Sequence, residues 1–369
     1  MLNKNKIDRV LFSIILILTT FGVFTFLSAS LGLLARDGAK YSSVVFNQLG
    51  FGLIGGLILM YITSKIPYKF WKIYSFWIFI GAVFLTLLVF IPGIGFEFAG
   101  AKRWISIGPI SLQPSELLKF AYIFYVAGWL SFATAKKRIK TFQWGTLPFL
   151  IISGIVAGIL VLQPDNDTMF ITLLAGAAMY FVSGANWKHI CLVVLLGIIG
   201  ATIILFSRPY IMERVITFIN PASDPLASGY QVQQSLIAVG SGGLAGRGFG
   251  QSIQKFNFLP EPIGDSIFAV IAEEFGFIGA LFLIMMYVAL LIQSIRISLL
   301  SRDSFGGLLI LGIAILIVSQ SFLNIASMLG IFPLSGLPLL FVSHGGTALL
   351  FTLAASGIML NISRFKKQQ

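Results

Sequence analysis

The chain has 369 residues, of which 57% are hydrophobic and only 10% charged, with a net charge of +12; its mean hydropathy is +0.95. Soluble domains carry about 25% charged residues, so this composition excludes an ordinary water-soluble globule, a disordered chain and a nucleic-acid-binding domain. A single cysteine, Cys191, excludes an internal disulfide and a cysteine-built zinc site, and two histidines, His189 and His344, add little.

A bilayer core of roughly 30 Å takes about 20 apolar residues at a helical rise of about 1.5 Å each. Ten such runs follow one another, at 10–34, 44–64, 73–91, 115–133, 146–162, 168–184, 189–206, 266–295, 306–330 and 345–363. They are continuous rather than alternating, which predicts helices and not barrel strands. The first run is too long for the apolar part of a cleaved signal, so Ser28-Ala29-Ser30 reads as a mimic of a cleavage site and the segment as a retained anchor. The expected architecture is an all-α polytopic membrane protein with ten transmembrane helices. Residues 1–369 form one membrane domain, with a long extracellular segment, 207–265, between the seventh and eighth helices.

Charge orients the bundle. With both termini cytoplasmic, the inner segments hold Lys4, Lys6, Arg9, Lys65, Lys69, Lys72, Lys136, Lys137, Arg138, Lys140, Lys188, Arg296, Arg302, Arg364, Lys366 and Lys367 against Asp8 and Asp303. The outer segments balance their charges, so the positive-inside rule accounts for the basic excess and no nucleic-acid partner is implied.

The unusual residues lie outward, in 92–114, 163–167, 207–265 and 331–344. Long segments of this kind are functional or disordered, and Phe218, Ile219, Leu236, Ile237, Phe249, Phe256, Phe258 and Leu259 favour packing on the outer helix ends. Charges near hydrocarbon are costly. Glu116 and Lys119 stand three apart and can pair, either as a neutralised tie or as substrate contacts. Glu273 and Glu274 point about 100° apart on their helix, so at least one must line a wet cavity or meet a base from another helix, an interhelical tie being the favoured expectation. Asp265, at the start of the eighth helix, reads first as an N-cap, a role compatible with accepting a proton. Gly240-Ser241-Gly242-Gly243-Leu244-Ala245 matches a dinucleotide pattern loosely, but no strand precedes it; a tightly packed or re-entrant turn is the better expectation. Arg247 within it could bind phosphate or face water.

Several outer motifs read together: Gly100-Ala101-Lys102-Arg103-Trp104-Ile105 with Gln113-Pro114-Ser115-Glu116-Leu117-Leu118-Lys119; Leu162-Gln163-Pro164-Asp165 with Thr168; Gly229-Tyr230-Gln231-Val232-Gln233-Gln234-Ser235 through Leu259-Pro260-Glu261 and Asp265 to Ala272-Glu273-Glu274; and Ser343-His344-Gly345-Gly346-Thr347. In this order they resemble the SEDS (shape, elongation, division and sporulation) family, FtsW/RodA/SpoVE, over nearly the whole chain. Gln251-Ser252-Ile253-Gln254-Lys255 and Leu360-Asn361-Ile362-Ser363-Arg364 look more like its division branch, FtsW, than RodA.

The resemblance implies a peptidoglycan glycosyltransferase that polymerises lipid II on the outer face of the bacterial cytoplasmic membrane for septal wall synthesis. It implies a class B penicillin-binding protein and other division proteins as partners, within membrane lipid. Asp265 falls at the family's catalytic acid and is the expected base for the acceptor hydroxyl. Arg103 and Lys119, with Lys102, Arg208, Arg214 or Arg247, are expected to clamp diphosphate. Asp165 would orient a cation, position sugar or hold a divalent ion such as magnesium or manganese. Glu116 would hold Lys119, and Glu273 and Glu274 would extend the polar wall. Competing readings are a lipid II flippase, an elongation-type polymerase and a non-catalytic division scaffold. The chain departs from the family pattern at Asp167 (usually glycine), Ile263-Gly264 (usually His-Thr), Ser266 (usually aromatic), His344 (usually tyrosine) and Thr347 (usually serine).

Overall fold

The computed structural model describes residues 6–36, 38–98, 101–107, 110–220 and 228–365. Lys4, Gly100, Lys366 and Lys367, invoked above, lie outside them. Apolar runs deprived of water must satisfy their backbone internally, and they do so as helices. In chain order these are α1 (Arg9–Arg36), α2 (Gly38–Val45) continuing through a π-helical stretch into α3 (Gly56–Lys65), α4 (Tyr68–Leu87) and α5 (Pro114–Ala135). Then come α6 (Leu147–Leu162), α7 (Asn166–Val182), α8 (Trp187–Ser207), α9 (Pro209–Ile219), α10 (Ser228–Ser241) and α11 (Gln254–Asn257). The last three are α12 (Ile267–Leu299), α13 (Ser304–Met328) and α14 (Gly346–Ser363).

Among the described residues nine helical segments are long and apolar enough to cross a membrane. A tenth, α7, has 17 residues, at the lower limit of about 17 for a span. All ten expected runs are therefore helical, and the chain is a multi-pass membrane protein.

Two segments between the spans hold more structure than the sequence disclosed. Residues 92–114 carry a three-stranded antiparallel sheet, β1 (Gly95–Phe98), β2 (Ala101–Ile107) and β3 (Ile110–Leu112), in that order. Its register sets Phe96 opposite Trp104 and Ile105 opposite Leu112. Residues 207–265, read as a long loop, contain α9, α10 and α11; α10 packs on α12 and α13, as its apolar content foretold.

The centre of the bundle is α5, α13 and α14, whose apolar residues are buried around most of their circumference. At the periphery α8 buries none of its residues. Exposed Ile73, Trp77, Phe84, Ile198 and Phe206 form the kind of apolar surface a bilayer covers. Within α12 the helix breaks at Gly276, with φ 67° and ψ −166°. A Cβ there would stand 2.3 Å from the Gly246 nitrogen, so only glycine admits the turn that packs against the break.

Candidate active site

Asp265 lies just before α12, but it does not cap the helix. The N-cap position is Ser266, and no side-chain cap bond forms. Turns at Glu261–Ser266 replace the cap: the Ser266 and Gly264 amides both donate to the Glu261 carbonyl, at 3.2 and 3.1 Å. Asp265 is half-buried. Among the described residues nothing donates a hydrogen bond to its carboxylate and no cation pairs with it. Burial pushes its carboxyl from the usual carboxylate range up to about 7, with the charges of Glu261 and Asp167 adding to the rise and those of Arg214 and Arg103 opposing it. A carboxylate that is unpaired and titrates near neutrality can take a proton at pH 7 and release it again.

What is anchored is the backbone. Asn324 Nδ2, on α13, donates to the Asp265 carbonyl and to the Leu337 carbonyl, both at 2.8 Å. One turn earlier, Gln320 Nε2 donates to the Pro338 carbonyl at 3.0 Å, while its Oε1 accepts from Lys119 Nζ at 2.7 Å. Lys119 pairs with Glu116 at 2.8 Å, and both are buried. The expected Glu116–Lys119 pair is thus present and connects through Gln320 to the loop facing Asp265. Gln320 and Asn324 were not singled out in the sequence, although two amides spaced i,i+4 in an apolar span give a signal for a shared buried face.

Asp165 and Arg103 meet at the starts of α5 and α7. The Asp165 carboxylate accepts from Ser115 Oγ at 3.1 Å and Gln113 Nε2 at 3.4 Å, and it lies 3.7 Å from Arg103 Nη1. Arg103 also donates to the Gln163 carbonyl at 3.3 Å and to the Pro164 carbonyl. Of the three readings left open for Asp165, this geometry favours orienting a cation. Among the described residues no three acidic, histidine or cysteine groups converge to hold a metal. With the Asp165 carboxylate already shared among Ser115, Gln113 and Arg103, the residues present do not fit a protein-built magnesium or manganese cage.

Arg214, on α9, pairs with Asp167 at 3.0 Å, and the same Asp167 oxygen accepts from the Gly336 amide at 3.1 Å. A Cβ on Gly336 would lie 3.8 Å from Asp265 Oδ2, so this pair stands beside Asp265. A groove of about 170 Å³ opens here, lined by Phe170, Ile211, Val215, Leu323 and Phe332 with Asp167 and Arg214 among its polar residues. Arg208 instead donates to the Val161 carbonyl at 3.2 Å.

Other expected contacts are committed elsewhere. Lys102 is exposed on β2, opposite Glu97. Glu274 accepts from Ser28 Oγ at 2.7 Å and pairs with buried Lys255 at 2.7 Å. Glu273 accepts from Ser252 Oγ at 2.5 Å and the Ile253 amide at 3.0 Å, and lies 3.6 Å from Arg247. Instead of lining a substrate wall, these acids hold the glycine-rich turn against broken α12. The turn repairs the break: the Arg247 and Gly248 amides donate to the Glu273 and Glu274 carbonyls at 3.0 and 2.9 Å, and the Phe277 and Ile278 amides to Gly243 and Leu244 at 2.9 and 3.2 Å. Freed backbone groups at this depth need such partners. The sequence missed the base for Glu274 because Lys255 comes from the 207–265 segment and not from a neighbouring span.

Two departures from the family pattern meet each other. The His344 amide donates to the Ile263 carbonyl at 2.7 Å, and Ser343 Oγ to the Gly264 carbonyl at 2.8 Å. Burial pushes the His344 imidazole down to about 4, so it is neutral at pH 7 and stacks on Phe26 at 6.1 Å. Thr347 Oγ1 donates to the Ser111 carbonyl at 2.9 Å, pinning β3 to α14.

A family model described as "Cell cycle protein", for FtsW, RodA and SpoVE, matches residues 8–368. The chain belongs to this SEDS family. Stage V sporulation protein E of Bacillus subtilis (strain 168) is 38% identical over 367 residues, 99% of each chain. A probable peptidoglycan glycosyltransferase FtsW of Geobacter sp. (strain M18) is 36% identical over 356 residues, 96% of each chain. Among solved structures, a chain from "Structural coordination of polymerization and crosslinking by a peptidoglycan synthase complex" superposes with a TM-score of 0.78 at 25% identity, covering 98% of this chain and 99% of that one. The rod-shape-determining protein RodA of Thermus thermophilus shares the SEDS fold, with a TM-score of 0.69 at 24% identity and 98% of each chain covered.

Proposed function

We propose that this SEDS protein is a peptidoglycan glycosyltransferase that polymerises lipid II, with Asp265 as the base. The observation that carries the reading is the Asp265 carboxylate: unpaired among the described residues, shifted to about 7, and set beside the Arg214–Asp167 pair, which itself lines an apolar groove. In the reaction the carboxylate removes the proton from the acceptor sugar's 4-hydroxyl. The oxygen attacks the anomeric carbon of the donor, forming the β-1,4 bond as the bond to undecaprenyl diphosphate breaks and its electron pair leaves on phosphate oxygen. Arg103 and Arg214 are the cations suited to steady the leaving anion, because fixed guanidiniums bind phosphate in forked pairs. Lys119 acts at one remove, through Gln320. No step runs through a metal.

The active face is outward and both termini are cytoplasmic. Supporting this, Lys136, Lys137, Arg138 and Lys140 follow the end of α5 remote from Ser115 and Asp165, and Lys72, which donates to Ser131 near that end, stands with Lys65 and Lys69 about the α3–α4 turn, the sign expected of a cytoplasmic face. The FtsW-named relatives support septal synthesis in the cytoplasmic membrane, and the likeness to a synthase complex that couples polymerisation with crosslinking supports a class B penicillin-binding protein as partner. The test is purified protein with that partner and labelled lipid II. Glycan polymer from wild type but not from Asp265→Ala supports the reading; equal polymer from both overturns it, and transfer of lipid II across vesicles without polymer favours a flippase.

A further inference from the structure

Arg214 is held by one bond. Its Nη1 meets Asp167 Oδ2 at 3.0 Å, with the two side chains 30% and 33% exposed. Its Nη2 and Nε have no hydrogen-bond partner among the described residues, and the guanidinium lies 5.8 Å from the Tyr210 ring centre. Arg214 also stands where two grooves meet, one lined by Phe170, Ile211 and Leu323 and the other by Phe218, Val232 and Leu236, with Phe332 and Leu334 common to both. An apolar trough with one under-used guanidinium at its junction suits an amphiphile with an anionic head.

Asp167 loses little if the pair opens. It lies in the first turn of α7, where the helix end favours a negative charge, and it keeps the Gly336 amide at 3.1 Å. A phosphate offers Arg214 two oxygens in a forked pair where Asp167 offers one.

We propose that Asp167 is a positioning residue: a built-in anion that holds Arg214 ready beside Asp265 and yields it to a phosphate of the incoming lipid-linked diphosphate. The inference rests on the glycosyl-transfer reading above. It gives the departure at Asp167 a function, since glycine there could not hold the arginine. After the exchange Arg214 neutralises phosphate, and Asp167 remains a free carboxylate near Asp265. The charged groups acting on Asp265 are Glu261, Asp167, Arg214 and Arg103, so removing the Asp167 charge moves the base toward lower pH.

The test uses full-length wild type, Asp167→Asn, Arg214→Gln and the double variant, with farnesyl diphosphate as probe. Asn keeps an acceptor for the Gly336 amide and removes the charge. An exposed ion pair is worth at most about fivefold in an equilibrium constant, so Asp167→Asn should tighten probe binding by up to about fivefold, and Arg214→Gln should weaken it. In the Arg214→Gln background, Asp167→Asn should change nothing. With lipid II, Asp167→Asn should lower KM more than it changes kcat and shift the acidic limb of the pH–rate profile downward. Weaker or unchanged binding by Asp167→Asn, or equal tightening without Arg214, overturns the proposal. The binding cycle needs no turnover, so a failure of the base assignment, read as polymer made by Asp265→Asn, is distinguishable from a failure here.

Discussion

Asn324 holds the Asp265 carbonyl and the Leu337 carbonyl with the same side-chain amide, each at 2.8 Å. One α13 side chain thereby anchors the backbone of Asp265 and of the loop facing it. The carboxylate is left unpaired while the chain carrying it is anchored, which suits the proposed proton transfer to a precise position. Asn324→Leu leaves both carbonyls without this donor. The expected cost is about 1–3 kcal/mol for each buried acceptor left unmade, and polymerisation should fall about 10–100-fold through misplacement. Thermal melting beside single-turnover rates checks both.

Asp265→Asn should lower polymerisation by about 10²–10⁴-fold, the usual share of a general base, with expression and partner binding unchanged. Product length on gels and co-purification measure these separately.

The pH dependence has a definite sign. As the proposed base, Asp265 works deprotonated, and its carboxyl is shifted to about 7, so the rate should rise from pH 5.5 to a plateau above roughly pH 8 as its ionised fraction completes. Stability runs the other way. The native state binds this proton up to about 7 and the unfolded chain only up to about 3.9, so the group's contribution to stability falls as pH rises between those values. Asp265→Asn should therefore melt above wild type at pH 8, and the gap should narrow toward pH 4.

Lys119→Met strands Glu116 as a buried charge and should destabilise the fold by about 3–5 kcal/mol. Adding Glu116→Gln should restore much of that loss. If the pair acts in catalysis through Gln320, the folded double variant stays slow; normal turnover by that variant would reduce the pair to a structural tie.

Gly276→Ala sets a Cβ against the Gly246 nitrogen at 2.3 Å on a backbone with φ of 67°. Such a residue is strained and cannot approach the turn. The expected outcome is a sharp loss of folded, detergent-stable protein, seen by size-exclusion chromatography.

The ten apolar runs, all of them helical, were legible in the amino-acid sequence, because hydrocarbon demands long apolar stretches and tolerates few charges. Glu116 and Lys119 were legible as a pair because helical spacing brings them together locally. The partners of Glu273 and Glu274 were not: Ser28 comes from α1, and Ser252 and Lys255 come from the segment that follows the turn docked into the break in α12. Nor could the sequence show that Asp265 is not a cap, that Gln320 and Asn324 face its loop, or that Asp167 takes Arg214. Hydropathy is a property of the chain at each position, so it is readable residue by residue. Which polar groups satisfy one another is decided by packing between segments far apart in sequence, and only the tertiary structure brings those together.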